Sequence, residues 1–465
     1  MSLVERLAGR IAREIATGGR PAGTALLSIR RAAAEYGVSK NTVIEAYARL
    51  VESGAVSSRP GSGFTVRPSP DTQLHGRPKH VAEAVDIASL LNAQLGQDFD
   101  IRVGDGRPPP SWTEESEVRR HLVSFGRALT SGSHSYGTAL GFLPLREALS
   151  RKLADQRIQV GEKQILLTFG ANHALDLIIR AFLAPGDAVL VDEPGYYPLF
   201  AKLKLHQVQM LGVRRNVDGP DLADLESKVR GWREEDGGGR SPRPRIFFTQ
   251  SIAHNPTGSS IRPSIAHGLL QIAAEHDVVI VEDEPFADLA SGTANRLATL
   301  DQLRRVISVG TFSKTLSASM RTGYIAATPE RIGALAELKM LTTVNSSGHI
   351  ERLLHKLLIE GHYDRHLKRL AQRIEAAHMR VRQGLADVGA RTFSDDPYGY
   401  YIYVLLPERV DSLEFARRGA KEGIFIASGS VFCLDKQNPR GAGFRINVGR
   451  ADSPAFLKFL GDNLR

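Results

Sequence analysis

Cysteine is almost absent from this 465-residue chain, Cys433 being the single one. That excludes an intramolecular disulfide and a multi-cysteine metal site, and it makes a reducing cytoplasm the expected compartment. Long apolar runs are missing as well. None approaches the roughly 18 residues of a membrane span, so no membrane association is expected. A secretory signal pattern is absent, because Glu5, Arg6, Arg10, Arg13 and Glu14 stud the first helix-length stretch. No internal repeat is visible. With 42% hydrophobic and 24% charged residues, wholesale disorder and fibrous architectures are excluded. What remains is length, enough for two to four domains at roughly 100–200 residues each.

Positive charge is modest in total and uneven in place. The formal net charge is +9, from 60 Lys+Arg against 51 Asp+Glu. Residues 1–68 hold ten Lys/Arg and five Glu, a net +5 that leaves +4 for the much longer remainder. Such asymmetry is expected of a nucleic-acid module. Residues 69–85, with Pro70, Gly76 and Pro78 and no periodicity, read as a linker. Residues 86–465 read as one large unit, with a larger part over about 130–345 and a C-terminal lobe over about 346–465.

In the first segment, Leu3, Leu7, Ile11 and Ile15 recur every four residues and predict an amphipathic helix. A short helix fits Ile29 to Tyr36, with Gly37 as its C-cap. Ser39 is placed as N-cap of a helix from Lys40 to Ser53. Helix, glycine turn and polar-started helix make helix-turn-helix grammar, and Pro60-Gly61-Ser62-Gly63 between two short strands predicts a wing. The second helix of such a unit enters the major groove N-terminus first, which puts Ser39, Lys40, Asn41 and Thr42 against DNA. Arg30, Arg31 and Arg59 suit phosphates. A small helical cap with solvated arginines is the plainer alternative.

The same stretch resembles the GntR family of winged-helix regulators from about Leu3 to Val66. The matching residues are Pro21-Ala22-Gly23-Thr24, Leu27-Ser28-Ile29-Arg30, Tyr36 to Val43, Ala46 to Leu50 and Gly61-Ser62-Gly63. The family usually has proline where Leu27 stands. The resemblance implies double-stranded DNA as a partner, with Ser28 and Gly61 joining the DNA-facing set.

Beyond the linker, apolar runs at Ile165–Leu167, Ala188–Val191, Ile246–Phe248, Val278–Val281 and Val306–Val309 alternate with helical stretches. Continuous strands separated by helices predict a mostly parallel sheet covered on both faces, with its ligand at the carboxyl ends of the strands. Five features fall at such ends. Thr311-Phe312-Ser313-Lys314 carries a lysine suited to a Schiff base, and Arg321 nearby suits a phosphate. Gly170-Ala171-Asn172 opens a helix whose N–H groups can grip an anion. Tyr196 offers a ring for a flat cofactor, although an aromatic there is more often plain packing. Asn255 can hydrogen-bond a ring hydroxyl. Asp283, within Glu282-Asp283-Glu284, can partner a protonated pyridine nitrogen. A metal among those carboxylates competes, but no histidine lies at ligand spacing, so no metal is expected.

In this order the set resembles fold-type I pyridoxal-phosphate enzymes, the class I aminotransferases, from about Asp86 to the C-terminus. Tyr136-Gly137, Gly141 to Arg146, Gly429 to Phe432 and Phe444 to Val448 extend the match. The resemblance implies pyridoxal 5′-phosphate as cofactor and an α/β transferase fold with a small C-terminal α+β lobe. It makes Lys314 the internal-aldimine lysine and Asp283 the pyridinium partner. Asn255 bonds O3′ and Tyr196 stacks on the ring. Arg321, Thr311, Ser313 and the Gly170, Ala171 and Asn172 amides hold the phosphate. Tyr136 reaches the partner subunit's phosphate in a homodimer, and Arg445 clamps an α-carboxylate. Phe286 stands where relatives have a tyrosine that also bonds O3′, Tyr400 stands for a common glycine, and Ala318-Ser319 for Pro-Gly. These departures bear on turnover more than on cofactor binding.

Head, linker and body together resemble the MocR subfamily of GntR regulators, with Gly361 to Leu367 and Arg380-Val381-Arg382 adding to the likeness. That implies a head-to-tail homodimer which senses an amine, an amino acid or the cofactor itself through the Lys314 aldimine, and alters promoter binding. On this reading the body is a sensor rather than an enzyme. The alternatives are an active aminotransferase with a vestigial head, and a cofactor-storing relative with neither activity.

Overall fold

The computed structural model describes residues 3–16, 20, 23–59, 63–67, 78–85, 99–113, 118–127, 135–231, 243–290 and 296–464. Helix α1 (Leu3–Ala16) buries Leu7 and Ile11, while Leu3 at the frayed start of the apolar stripe stays 55% exposed. Helix α2 (Ile29–Tyr36) is held at both ends. The Ser28 side chain accepts from Arg31 N, and Gly37, at φ 63°, donates its N–H to Ala33 O. Helix α3 (Lys40–Glu52) starts on Ser39, whose Oγ accepts from Thr42 N, and buries Val43, Ala46, Tyr47 and Leu50. That spacing is one helical stripe. Strands β1 (Val56–Arg59) and β2 (Gly63–Val66) pair antiparallel with Val56 opposite Val66. Tyr47 joins the parts: its ring meets Phe64 edge-on at 4.9 Å, and its hydroxyl donates to Leu27 O at 3.0 Å. Each fully buried Leu, Val or Ile here contributes roughly 1.5–3 kcal/mol of transfer free energy.

The chain divides into two compact units, Met1–Ala82 and Glu83–Arg465. The stretch read from sequence as an aperiodic linker is helical at 79–85, with Ala84 buried. Its apolar residues Val81, Ala84 and Val85 lie three to four positions apart, too short a pattern for periodicity to register. Residues 69–77 lie outside the described residues.

In the larger unit, eight strands among the described residues form one sheet in the order β3-β10-β9-β8-β7-β4-β5-β6. They are β3 (Ile165–Thr168), β4 (Ala188–Glu193), β5 (Gln209–Asn216), β6 (Gly219–Pro220), β7 (Ile246–Thr249), β8 (Val279–Glu284), β9 (Val306–Thr311) and β10 (Gly323–Ala326). The central strands β5, β4, β7, β8 and β9 run parallel. Strand β10 enters antiparallel between β3 and β9. Every residue of β3, β7, β9 and β10 is buried, as a sheet covered on both faces requires. Helix α4 (Ala171–Phe182) follows β3 directly, and helix α5 (His362–Asp387) leads into the C-terminal lobe. There β11 (Arg391–Thr392), β12 (Tyr401–Leu405), β13 (Ala427–Ser428) and β14 (Gly443–Asn447) form a four-stranded antiparallel sheet in the order β11-β12-β14-β13. No described helix is long and apolar enough to cross a membrane.

Candidate functional site

Strand order, not chain order, assembles the site. Strand β9 delivers Thr311, and the turn beyond it carries Ser313 and Lys314, with Ser313 N donating to Thr311 Oγ1 at 3.2 Å. The lysine's backbone is fixed from two sides. Tyr400 donates its hydroxyl to Lys314 O at 2.9 Å. Next to it, Thr315 shares a hydrogen bond with the Tyr363 hydroxyl at 2.7 Å, and its carbonyl meets His366 Nε2 at 2.7 Å. The Lys314 ammonium donates to the carbonyl of Gly106.

An anion cradle lies beside it. Gly170 caps α4 at φ 84° and ψ 173°, a conformation that side chains avoid. A Cβ there would come 3.1 Å from Arg321 Nη2 and 3.5 Å from Ser313 Oγ. Arg321 in turn donates to Phe169 O at 2.9 Å and to Ser313 Oγ at 3.3 Å. The helix starting at Ala171 and Asn172 adds backbone N–H groups without intrahelical partners, the arrangement that binds phosphates. Asn172 Oδ1 is buried without a hydrogen-bond partner.

The three successive carboxylates of β8 do not share a space. The pleat sends Glu282 and Glu284 to one face and Asp283 to the other. Glu282 accepts from Ser251 Oγ at 2.5 Å and from the Leu297 and Ala298 amides at 2.6 and 3.0 Å. Glu284 accepts from Ser251 N at 2.6 Å, and burial, with Glu282 close by, raises its pKa well above the ordinary carboxylate value. The buried Arg296 guanidinium is the neighbouring cation. Asp283, on the other face, lines a cavity with Tyr196 and Gln250. Its Oδ2 accepts from Gln250 Nε2 at 2.9 Å, and its buried Oδ1 has no partner. Burial pushes this carboxyl up to about 6, against the Gln250 hydrogen bond and the Lys314 charge.

Arg445, on β14, is buried and donates to Asn255 Oδ1 at 2.9 Å and to Gly104 O at 2.7 Å. Its guanidinium lies 4.6 Å from the Tyr401 ring centroid and 5.1 Å from that of Phe432. Tyr401 donates to Gly106 O at 2.9 Å, so one carbonyl receives both this phenol and the Lys314 ammonium. Tyr196 and Asp283 help line a cavity of about 20 Å³, room for one water. Phe286 is fully buried between the edges of Tyr400 and Tyr401.

Ser313, which precedes Lys314 in the chain, thus converges with Arg321 and Gly170, while Gln250 joins Asp283 to Asn255 and the Asn255 side chain joins Arg445. Tyr136 is 88% exposed and makes no hydrogen bond to these residues. In the head, Arg30, Arg31, Lys40 and Asn41 are exposed, while the Ser28 and Ser39 oxygens serve as helix caps. Ser39 Oγ also bonds Thr42 Oγ1 at 2.9 Å. The Arg59 side chain and Gly61 lie outside the described residues. Sequence reasoning missed Gln250, Tyr401 and the Gly104 and Gly106 carbonyls. Only Gln250 left a trace, as a polar residue between a buried strand and Asn255. Among the described residues, the three-donor groups at metal-like spacing are His121, Glu360 and His362, and Glu226, Glu275 and His276. The 282–284 carboxylates belong to neither.

Two family models match the chain. "Aminotransferase class I and II" covers residues 100–454, and "Bacterial regulatory proteins, gntR family" covers residues 3–66. An HTH-type transcriptional regulator of Escherichia coli, YdcR, is 27% identical across 93% of this chain and 92% of its own. The probable rhizopine catabolism regulatory protein MocR of Rhizobium meliloti is 29% identical across 80% of this chain and 76% of its own. Among solved structures, the kynurenine aminotransferase of Pyrococcus horikoshii, determined in complex with PMP, superposes with a TM-score of 0.73. It is 25% identical and covers 82% of this chain and 93% of its own.

Proposed function

Because the chain belongs to the class I and II aminotransferase family and carries a GntR-type DNA-binding head in the MocR arrangement, we propose that it is a pyridoxal-phosphate-dependent transcriptional regulator. Its body serves as a sensor for a small amine-bearing effector. The residues present fit the cofactor. Asp283 Oδ1, buried and unpartnered, is the acceptor that a protonated ring nitrogen needs. The cradle of Gly170, Arg321 and Ser313 brings together the donors a phosphate needs, at a glycine whose Cβ would come 3.1 Å from Arg321 Nη2. When bound, the cofactor supplies an electrophilic carbon that bonds primary amines and a ring that withdraws electrons. In this assignment Lys314 is its covalent anchor, Asn255 its O3′ partner, Tyr196 its stacking face and Thr311 part of the phosphate seat. Tyr136 serves the second subunit of a homodimer.

One observation carries the sensing role. The two groups that would receive an amino acid, Lys314 and Arg445, are both bonded to one backbone strap, at Gly106 O and Gly104 O. Asn447 Nδ2 holds it, donating to Asp105 O and Arg107 O at 2.8 Å each. An effector carboxylate at Arg445 competes directly with the Gly104 carbonyl, so ligand and strap share a partner. Effector binding shifts the regulator only by its differential affinity for strap-bound and strap-released states.

The test is DNA binding of the cofactor-loaded protein, titrated with amino acids and amines across a salt series. Regulation predicts binding that weakens with salt and changes with at least one amine. If instead the protein turns over many equivalents of amino donor with a keto acid and binds no DNA, the aminotransferase reading takes its place.

A further inference from the structure

Gln250 is 5% exposed and spends both ends of its side-chain amide on the candidate cofactor site. Its Nε2 donates to Asp283 Oδ2 at 2.9 Å, and its Oε1 accepts from the backbone N–H of Asn255 at 2.7 Å. The backbone behind it is equally tied, since Gln250 O accepts from Arg215 Nη2 at 3.0 Å and Arg215 is ion-paired with Asp192 at 3.1 Å. Asp283 arrives on β8 and Asn255 on the loop after β7, so no covalent constraint sets their separation. The one amide spans them.

We propose that Gln250 is the positioning residue of the cofactor site, fixing Asp283 and Asn255 in register so that Asp283 presents only Oδ1 to the ring nitrogen. This rests on the pyridoxal-phosphate reading above. Without the amide donor, Asp283 is free to rotate, because either oxygen is then equivalent and its remaining neighbours do not hold it. The groups facing Asp283 are the Lys314 ammonium, Tyr196, His254 and Asp192, with Glu284 across the strand. Among the described residues, none of these donates a hydrogen bond to its carboxylate. The amide orientation is forced by its partners: a backbone N–H can only donate, and an ionised carboxylate only accepts.

The test uses the full-length protein and two substitutions. Gln250→Leu removes both hydrogen bonds, and Gln250→Glu keeps the acceptor for Asn255 N but puts a second carboxylate against Asp283. Loss of a buried hydrogen bond to a charged group predicts a cofactor dissociation constant raised roughly tenfold or more in Gln250→Leu, and further in Gln250→Glu. Competition by inorganic phosphate, which needs only the Gly170 and Arg321 cradle, is expected to match wild type in both variants. The pH midpoint of the bound cofactor's visible absorbance is expected to move, which mere loss of packing would not produce. Wild-type cofactor affinity and an unmoved midpoint in Gln250→Leu would overturn the proposal. Failure of the wild type itself to take up pyridoxal phosphate would instead overturn the reading it rests on.

Discussion

Acid should weaken cofactor binding through a single carboxyl, Asp283. Burial pushes it up to about 6 in the cofactor-free protein, while the Gln250 hydrogen bond and the Lys314 charge oppose the rise. A protonated ring nitrogen requires the ionised form. Above pH 6 that form is ready. Below it, each binding event must first release the Asp283 proton, so affinity falls as pH falls. Linkage makes the loss about tenfold per pH unit below 6, which is about 1.4 kcal/mol per unit. The cofactor's own phosphate titrates in the same window, with a second pKa near 6. Wild type and Asp283→Asn are therefore compared, because the ratio of their dissociation constants cancels the ligand's ionisation. Spectroscopic titrations from about pH 5 to about pH 8 should give a ratio that is flat at the alkaline end and collapses about tenfold per unit below 6. A ratio independent of pH would refute the reasoning, since no Asp283 proton would then exchange on binding. The same shift has a second consequence. A carboxyl raised on folding opposes folding once pH exceeds its folded pKa, a penalty absent below its unfolded value. Asp283→Asn should therefore stabilise the cofactor-free protein at neutral pH while weakening the holo form.

Gly170→Ala forces a side chain into φ 84° and ψ 173°, at about 1–3 kcal/mol, and sets a Cβ 3.1 Å from Arg321 Nη2. Fluorescence titration should show both cofactor and inorganic phosphate binding less tightly; unchanged phosphate binding would remove this loop from the anion site. Ser39→Ala deletes the cap bond to Thr42 N and should cost the head about 1 kcal/mol, roughly a 4–8 °C fall in its melting transition by calorimetry. No fall in that transition would mean that α3 is held by its apolar stripe alone. Arg30, exposed in the first turn of α2, contributes charge rather than packing. If it neutralises one phosphate, Arg30→Ala should make the plot of log affinity against log salt shallower by about 0.9 per head, with operator preference kept. A steep loss of preference would reassign Arg30 to base reading.

The short-range chemistry of this protein could be read from its amino acids. Ser28, Gly37 and Ser39 mark helix ends because capping needs only residues three or four positions apart, and the Val43, Ala46, Tyr47 and Leu50 stripe needs only the helical repeat. The buried strands were legible for the same reason, as were the places of Lys314 just beyond β9, Asp283 on β8 and the Gly170 turn before α4. The helix at 79–85 was not, because seven residues give too few repeats to rise above a proline-rich background. Chain-distant pairings were beyond reach altogether. Arg445 meets Asn255 across 190 positions and Gly104 across 341. Those meetings depend on β14 of the C-terminal sheet, whose Arg445 and Asn447 reach the loop after β7 and the 104–106 strap. The amino acids determined which groups could hold a phosphate, a ring and a carboxylate. The tertiary structure decided what each of three adjacent carboxylates meets, setting Glu282 and Glu284 against Ser251 and Asp283 against Gln250. It also placed Gln250 as the amide that spans two strand ends, because hydrogen bonding is directional and only assembled geometry supplies the direction.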